Sequence, residues 1–167
     1  MKKNNKGFSL VELIIVIAIM AVMIGVLLPQ YIKHVGKSKR AVDVQNADEY
    51  ATACDITQID EEIGSLSGLL VDGSGNAWCA WCEADAAYID TEHPSTFLDY
   101  IVKDLGSLPV SKIDNNLCWV MKFDNTTRKV TGIYLTEPSN LSAAPGPAWQ
   151  QYELWPNGED FVANGPR

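Results

Sequence analysis

The sequence predicts an α+β fold: a long N-terminal α-helix, membrane-spanning over its first half, packs its second half against a C-terminal antiparallel β-sheet. Three observations carry that expectation. An apolar run extends from Phe8 to Leu28, an amphipathic stripe continues from it to Ile63, and strand alternation sets in only at Leu117. Helix first and strands afterwards, within 167 residues, reads as one α+β head on a helical stalk.

Between Phe8 and Leu28 the single ionisable residue is Glu12, and Ser9 is the one other polar side chain. Twenty-one residues of helix rise about 31 Å, close to the roughly 30 Å of a bilayer's hydrocarbon layer. The preceding leader, residues 1–7, is short and carries Lys2, Lys3 and Lys6. A secretory signal has a shorter apolar stretch and a small-residue cleavage site after it. Neither feature is present, so the run reads as a retained membrane segment.

Charge divides near the same place. Residues 1–40 hold seven Lys or Arg against Glu12 alone, and the remainder is strongly acidic, for a net −8. An acidic head excludes a nucleic-acid grip there, because phosphate binding needs clustered Lys and Arg. Basic residues flank the apolar run on both sides, with Lys33, Lys37, Lys39 and Arg40 following it. Charge counting therefore leaves the orientation open. The later basic cluster suits lipid head groups or an acidic neighbour, and it has no interleaved aromatic platform for nucleic acid.

Glu12 is the anomaly in the run. A charge at the bilayer centre costs about 2.5–3.5 kcal/mol on insertion scales, and less near the edge. Glu12 lies about one helical turn after Phe8, and no Lys or Arg within the run can pair with it. A partner supplied by another molecule is the economical expectation.

At this point the residues resemble a known family. Gly7-Phe8-Ser9-Leu10-Val11-Glu12-Leu13, the apolar stretch Ile14–Val22, then Pro29, Gln30 and Tyr31, are similar to the processing motif and helix of type IV pilins. The resemblance covers about residues 1–45. It implies cleavage by a prepilin peptidase between Gly7 and Phe8 on the cytoplasmic side, and N-methylation of the new N-terminus at Phe8. It also implies that Glu12 pairs with the Phe8 amine of a neighbouring subunit during assembly. The implied partners are further copies of the chain, the peptidase, and an inner-membrane platform with its ATPase; the membrane holds the precursor first. The implied location is a single-pass precursor with a cytoplasmic N-terminus, then an extracellular filament serving adhesion or twitching motility.

Gly25 and Pro29 predict a helix kink, since Pro removes a backbone bond and Gly lowers helix propensity. The family resemblance implies that this stretch can unwind within a filament. Beyond it, Val35, Val42, Tyr50, Ala53, Ile56 and Ile63 fall within one arc of a helix, with Asp43, Asp48, Asp55 and Glu62 largely elsewhere. Gly64 suits the end of that helix. The resulting division is a leader over 1–7, a membrane or filament-core helix over 8–28, a stalk over 29–63 and a head over 64–167.

In the head, residues 65–116 read as loop-rich, with Gly68, Gly73 and Gly75 marking turns and one short helix over about Ser95–Leu105 capped by Gly106. Leu117, Trp119, Met121 and Phe123 alternate with Cys118, Val120 and Lys122, and a turn at Asp124–Thr127 leads to a return strand over Lys129–Thr136. Pro138–Pro147 reads as a loop. Gln150–Trp155 and Glu159–Ala163 flank an Asn157-Gly158 turn signal.

Cys54, Cys79, Cys82 and Cys118 form an even set in an extracellular head, where disulfides are favoured. The expected pairing is Cys54–Cys118, tying stalk to sheet, with Cys79–Cys82 closing a small loop. Cys79-Ala80-Trp81-Cys82 has a redox spacing, but the strand-to-helix scaffold that lowers a thiol pKa is missing around it. A zinc site would want two close pairs where one exists. His34 and His93 have no sequence arrangement suggesting a triad, and the five Trp read as core or interface anchors. No enzyme, cofactor or metal is expected. The alternatives to a pilus subunit are a pseudopilin of a secretion or DNA-uptake system, and a minor pilin with an adhesive head.

Overall fold

The computed structural model describes residues 8–57, 69–82, 87–89, 106 and 108–166. The expected helix at Ser95–Leu105, the end of the stalk at Gly64, Ile63 and the leader with Gly7 lie outside these residues. The chain divides into two compact units, Met1–Gly36 and Lys37–Arg167.

Helix α1, Leu10–Thr57, runs without interruption through Gly25 and Pro29. Its β-branched run Ile14–Ile17 would favour a strand in water. In an apolar medium the backbone must satisfy its own polar groups, and a helix does that within one segment.

The head is a single antiparallel sheet. Its strands are β1 (Leu70–Val71), β2 (Asn76–Cys82), β3 (Ala87–Ile89), β4 (Cys118–Asp124), β5 (Val130–Thr136) and β6 (Tyr152–Trp155). They run in the order β1-β2-β4-β5-β6, with β3 also paired to β2. The expected β4–β5 hairpin is present, and its turn is held by the Asp124 carboxylate, which accepts from the Thr126 and Thr127 amides at 2.8 Å.

Strand β2 lies in the stretch read as loop. Ala77–Cys82 shows no polar alternation because both of its faces are buried. Ala77, Cys79 and Trp81 join Trp119, Met121, Phe123, Ile133 and Leu135 in the core that meets α1. Trp78, Ala80, Cys82, Cys118, Val120 and Tyr134 form a second core on the opposite face, covered by Leu141 and Trp149. Those covering residues come from the Pro138–Trp149 stretch, which folds as two 3₁₀ turns. The last element also differs from expectation: Glu159–Asn164 is a short helix, α2, with Glu159 and Asp160 in its first turn. Carboxylates there suit the positive end of a helix.

The stripe of α1 that faces the sheet is not the most apolar one. Arg40, Asp43, Ala47, Tyr50, Ala51 and Cys54 are buried, whereas Val42 and Ile56, both placed on the stripe by residue type, are exposed. Tyr50 rests on the stacked pair Trp81 and Trp119, 6.4 Å from each ring. Arg40, expected at a lipid or acidic surface, instead donates to the carbonyls of Val162, Gly165 and Pro166 at 2.8–3.2 Å. Asp43 accepts from the Ser111 hydroxyl at 2.9 Å and the Lys112 amide at 2.8 Å. Burial pushes its carboxyl above the ordinary value while these hydrogen bonds pull it back. Both polar residues face the sheet because each meets donors or acceptors that α2 and the 108–113 segment leave unpaired.

The cysteine pairing is corrected. Cys82 bonds Cys118, and neither Cys54–Cys118 nor Cys79–Cys82 forms. Residues three apart on a strand point to opposite faces, so Cys79 and Cys82 cannot meet within β2. The β2–β4 register places Trp81 opposite Trp119, and the next step brings Cys82 opposite Cys118.

Two predictions follow from this packing. At Gly158 a Cβ would lie 2.7 Å from the Val44 methyls and against the Leu154 carbonyl. Gly158→Ala is expected to cost about 1–3 kcal/mol, read as a fall of several degrees in the head's thermal midpoint. The second concerns acid. The Asp72 carboxylate accepts from the Asn76 amide at 2.9 Å, and also from the Asn76 side chain, Trp78 Nε1 and the Ser74 amide. These bonds hold it well below the ordinary carboxylate value of 3.8. A depressed folded pKa gives stability that is present above the unfolded value and lost as pH falls towards the folded one. The midpoint should therefore drop on acidification below about pH 4. Asp72→Asn should start lower and show a shallower acid dependence.

Candidate functional site

The candidate site is the surface of α1 from its first turn to Ile32. Fifteen Leu, Ile, Val and Met side chains between Leu10 and Leu28 are 47–74% exposed, and Phe8 ahead of them is 88% exposed. The segment is long and apolar enough to cross a membrane, and its apolar window is exposed among the described residues. A continuous patch of this kind far exceeds what a soluble monomer presents to water. Fully burying such a side chain is worth about 1.5–3 kcal/mol, so tens of kcal/mol favour covering this surface with lipid or with another helix.

Glu12 sits in the first turn of α1. Its Oε2 accepts from the Ser9 backbone amide at 3.1 Å, and the Leu13 amide donates to the Ser9 carbonyl. Ser9-Leu10-Val11-Glu12 is therefore the S-x-x-E pattern in which the third helical residue reaches back to cap the helix start. That signal is visible in the sequence, and reading Glu12 as a membrane anomaly obscured it. The carboxylate thus has a partner within its own chain, and it sits where the helix dipole favours an anion.

Gly25 and Pro29 are spaced i, i+4. The Pro29 ring nitrogen carries no proton for the Gly25 carbonyl, whose bond is the one a Pro at this position removes. A Cβ at Gly25 would meet nothing within 4 Å. The chain's own packing does not require glycine there. Past the apolar run, Lys33, Lys37 and Lys39 are exposed along α1, as is His34. Arg40, the fourth member of that cluster, belongs to the head.

Of the expected site residues, Phe8 and Glu12 lie together at the start of α1, Gly25 and Pro29 lie further along it, and Gly7 and His93 fall outside the described residues. In the head, Cys82 is bonded to Cys118, while Cys79 faces the opposite side of the sheet. The Cys79–Cys82 spacing is therefore that of one strand's two faces. Among the described residues no three His, Cys, Asp or Glu side chains gather as they would around a metal ion. Trp78, Trp81, Trp119 and Trp149 are core residues, and Trp155 packs at the core's margin.

The fold and the exposed helix define a class: a chain with a long apolar N-terminal helix and an α+β head. A family model described as the prokaryotic N-terminal methylation motif matches residues 2–28. The chain is 30% identical over 83 residues to the type IV major fimbrial protein FimA of Dichelobacter nodosus, covering 46% of this chain and 53% of the relative. The chain thus spans about half the length of that relative. No solved structure matches. The motif at the N-terminus and the fimbrial relative make the chain similar to type IV pilins, and its long apolar helix followed by an antiparallel sheet is a pilin-like α+β arrangement. Pilins are structural polymer subunits, not an enzyme family.

Proposed function

We propose that this chain is a structural subunit of a type IV pilus. It is held in the membrane by residues 8–28 with its N-terminus in the cytoplasm, cut between Gly7 and Phe8 by a prepilin peptidase, and N-methylated at Phe8. An assembly platform and its ATPase then move it into a filament in which neighbouring helices replace lipid. The uncovered apolar surface of α1 carries this reading.

Lipid and a neighbouring helix are similarly apolar, so hydrophobicity alone does not draw the helix out of the bilayer. The polar group at its start supplies a difference. Cleavage creates an amine at Phe8, and Glu12 of an adjacent subunit pairs with it, offsetting the desolvation of both charges and setting the axial register. The Ser9 amide holds the carboxylate until that exchange. Gly25, with open space beside it, leaves room for a neighbouring helix and for local unwinding at Pro29. The relative's description as a major fimbrial protein supports a pilus over the pseudopilus of a secretion or DNA-uptake system.

Intact mass and N-terminal sequencing of material sheared from the cell surface test the proposal. A chain starting at methylated Phe8 is the expected result. Chains starting only at Met1, and found only in the membrane, would overturn it. Glu12→Ala should leave processing intact and the subunit in the membrane. Stranding the Phe8 amine costs about 3–5 kcal/mol, so subunit addition should weaken by roughly two orders of magnitude or more, read as loss of sheared filaments.

A further inference from the structure

The sheet divides the four cysteines into two pairs by face. Cys82 and Cys118 share the face turned away from α1 and are already joined. Cys79 points to the face that packs on α1, and Cys54 reaches the same face from the helix. The Cys54 Sγ lies 3.8 Å from the Met121 Sδ, and Met121 is the direct cross-strand partner of Cys79. Directly opposed residues on one face have Cβ atoms about 4.5–5.5 Å apart, so Cys54 sits over the pair that includes Cys79. Both thiols are fully buried. Burial, and next the neighbouring Cys79, push the Cys54 thiol well above its ordinary value.

We propose that Cys54 and Cys79 form a second disulfide in the mature head, stapling α1 to the central strand β2. The inference rests on the reading that the head is exported to an oxidising compartment. There the Cys82–Cys118 bond and this one would be made by the same class of oxidant, a disulfide-donating thiol oxidoreductase. One cysteine thiolate attacks the donor's disulfide and releases one donor sulfur as a thiolate. The second cysteine then displaces the other donor sulfur from the mixed disulfide. Two protein thiols become one disulfide, and the donor's disulfide takes up the two electrons and becomes a dithiol. Because exchange runs through the thiolate, the step belongs to the folding chain, before the core closes over both sulfurs. The result is a covalent tie between the helix that would carry tension along a filament and the sheet packed on it.

The test uses the wild-type chain sheared from cells, denatured in iodoacetamide without reductant and digested with chymotrypsin. Cleavage after Trp78 and Trp81 separates Cys79 from Cys82. The expected result is no alkylated cysteine, one peptide pair joining Cys54 to Cys79, and another joining Cys82 to Cys118. The Cys54→Ser variant should then expose an alkylatable Cys79 while Cys82–Cys118 persists. Alkylated Cys54 and Cys79 beside an intact Cys82–Cys118 bond would overturn the proposal and leave export standing. Alkylation of all four cysteines, in chains still beginning at Met1, would overturn both. A bond from Cys54 to Cys118 would overturn the pairing outright.

Discussion

The constraint on which this molecule depends is that, among the described residues, the apolar helix surface from Phe8 to Ile32 is exposed. Fifteen large aliphatic or thioether side chains face outward between Leu10 and Leu28, and no rearrangement of the segment's own side chains can hide them. The helix itself answers half the problem, because its interior backbone donors and acceptors are satisfied locally except where Pro29 lacks the N–H for the Gly25 carbonyl. The other half must be met by lipid or by other helices. The polar groups of the segment are accordingly placed at an end or at a break: Glu12 in the first turn, and towards the far end the Gly25 carbonyl whose helical donor Pro29 lacks. A carboxylate at the helix start costs little, because the Ser9 amide and the helix dipole both favour it.

The later part of α1 obeys a different rule. There the helix is covered by a sheet, and its buried face includes a guanidinium and a carboxylate. Unpaired, either would be costly. Arg40 gathers three carbonyls at the end of α2, and Asp43 gathers a hydroxyl and an amide from residues 111 and 112. Each ties α1 to a segment that is distant in sequence, so the polar contacts fix which part of the chain lies against which turn. The aromatic packing of Tyr50 on Trp81 and Trp119 contributes area. Arg40 and Asp43 contribute register.

How much of this was legible follows from how local each signal is. The long apolar helix, the β4–β5 hairpin and the α+β order rest on runs and alternations within a few residues, and they read correctly. Strand β2 did not, because burial on two faces erases the polar alternation that marks a strand. A second cover made by the Pro-rich stretch could not be foreseen from its composition. The stripe on α1 was right at Tyr50 and Ala53, which are buried, and wrong at Val42 and Ile56 for a related reason. Selecting apolar residues picked Val42 and Ile56, while the buried arc passes through Arg40 and Asp43, whose partners lie more than 65 residues away. Glu159–Asn164 followed a good turn signal, yet its two leading carboxylates suit a helix start better than a strand.

The cysteines show the same limit from the other side. Four cysteines allow three pairings, and sequence distance favours none of them. Strand parity removes Cys79–Cys82, since positions three apart cannot share a face. That disposes of the connectivity that also holds Cys54–Cys118, and the Cys82–Cys118 bond across the β2–β4 register removes the one that joins Cys54 to Cys82 and Cys79 to Cys118. What is left is Cys54 and Cys79, both buried in the core between helix and sheet. The one fact missing from the sequence was that residues 76–82 are a strand. Once that strand and its register with β4 exist, strand parity and register sort the cysteines without any further knowledge of their chemistry.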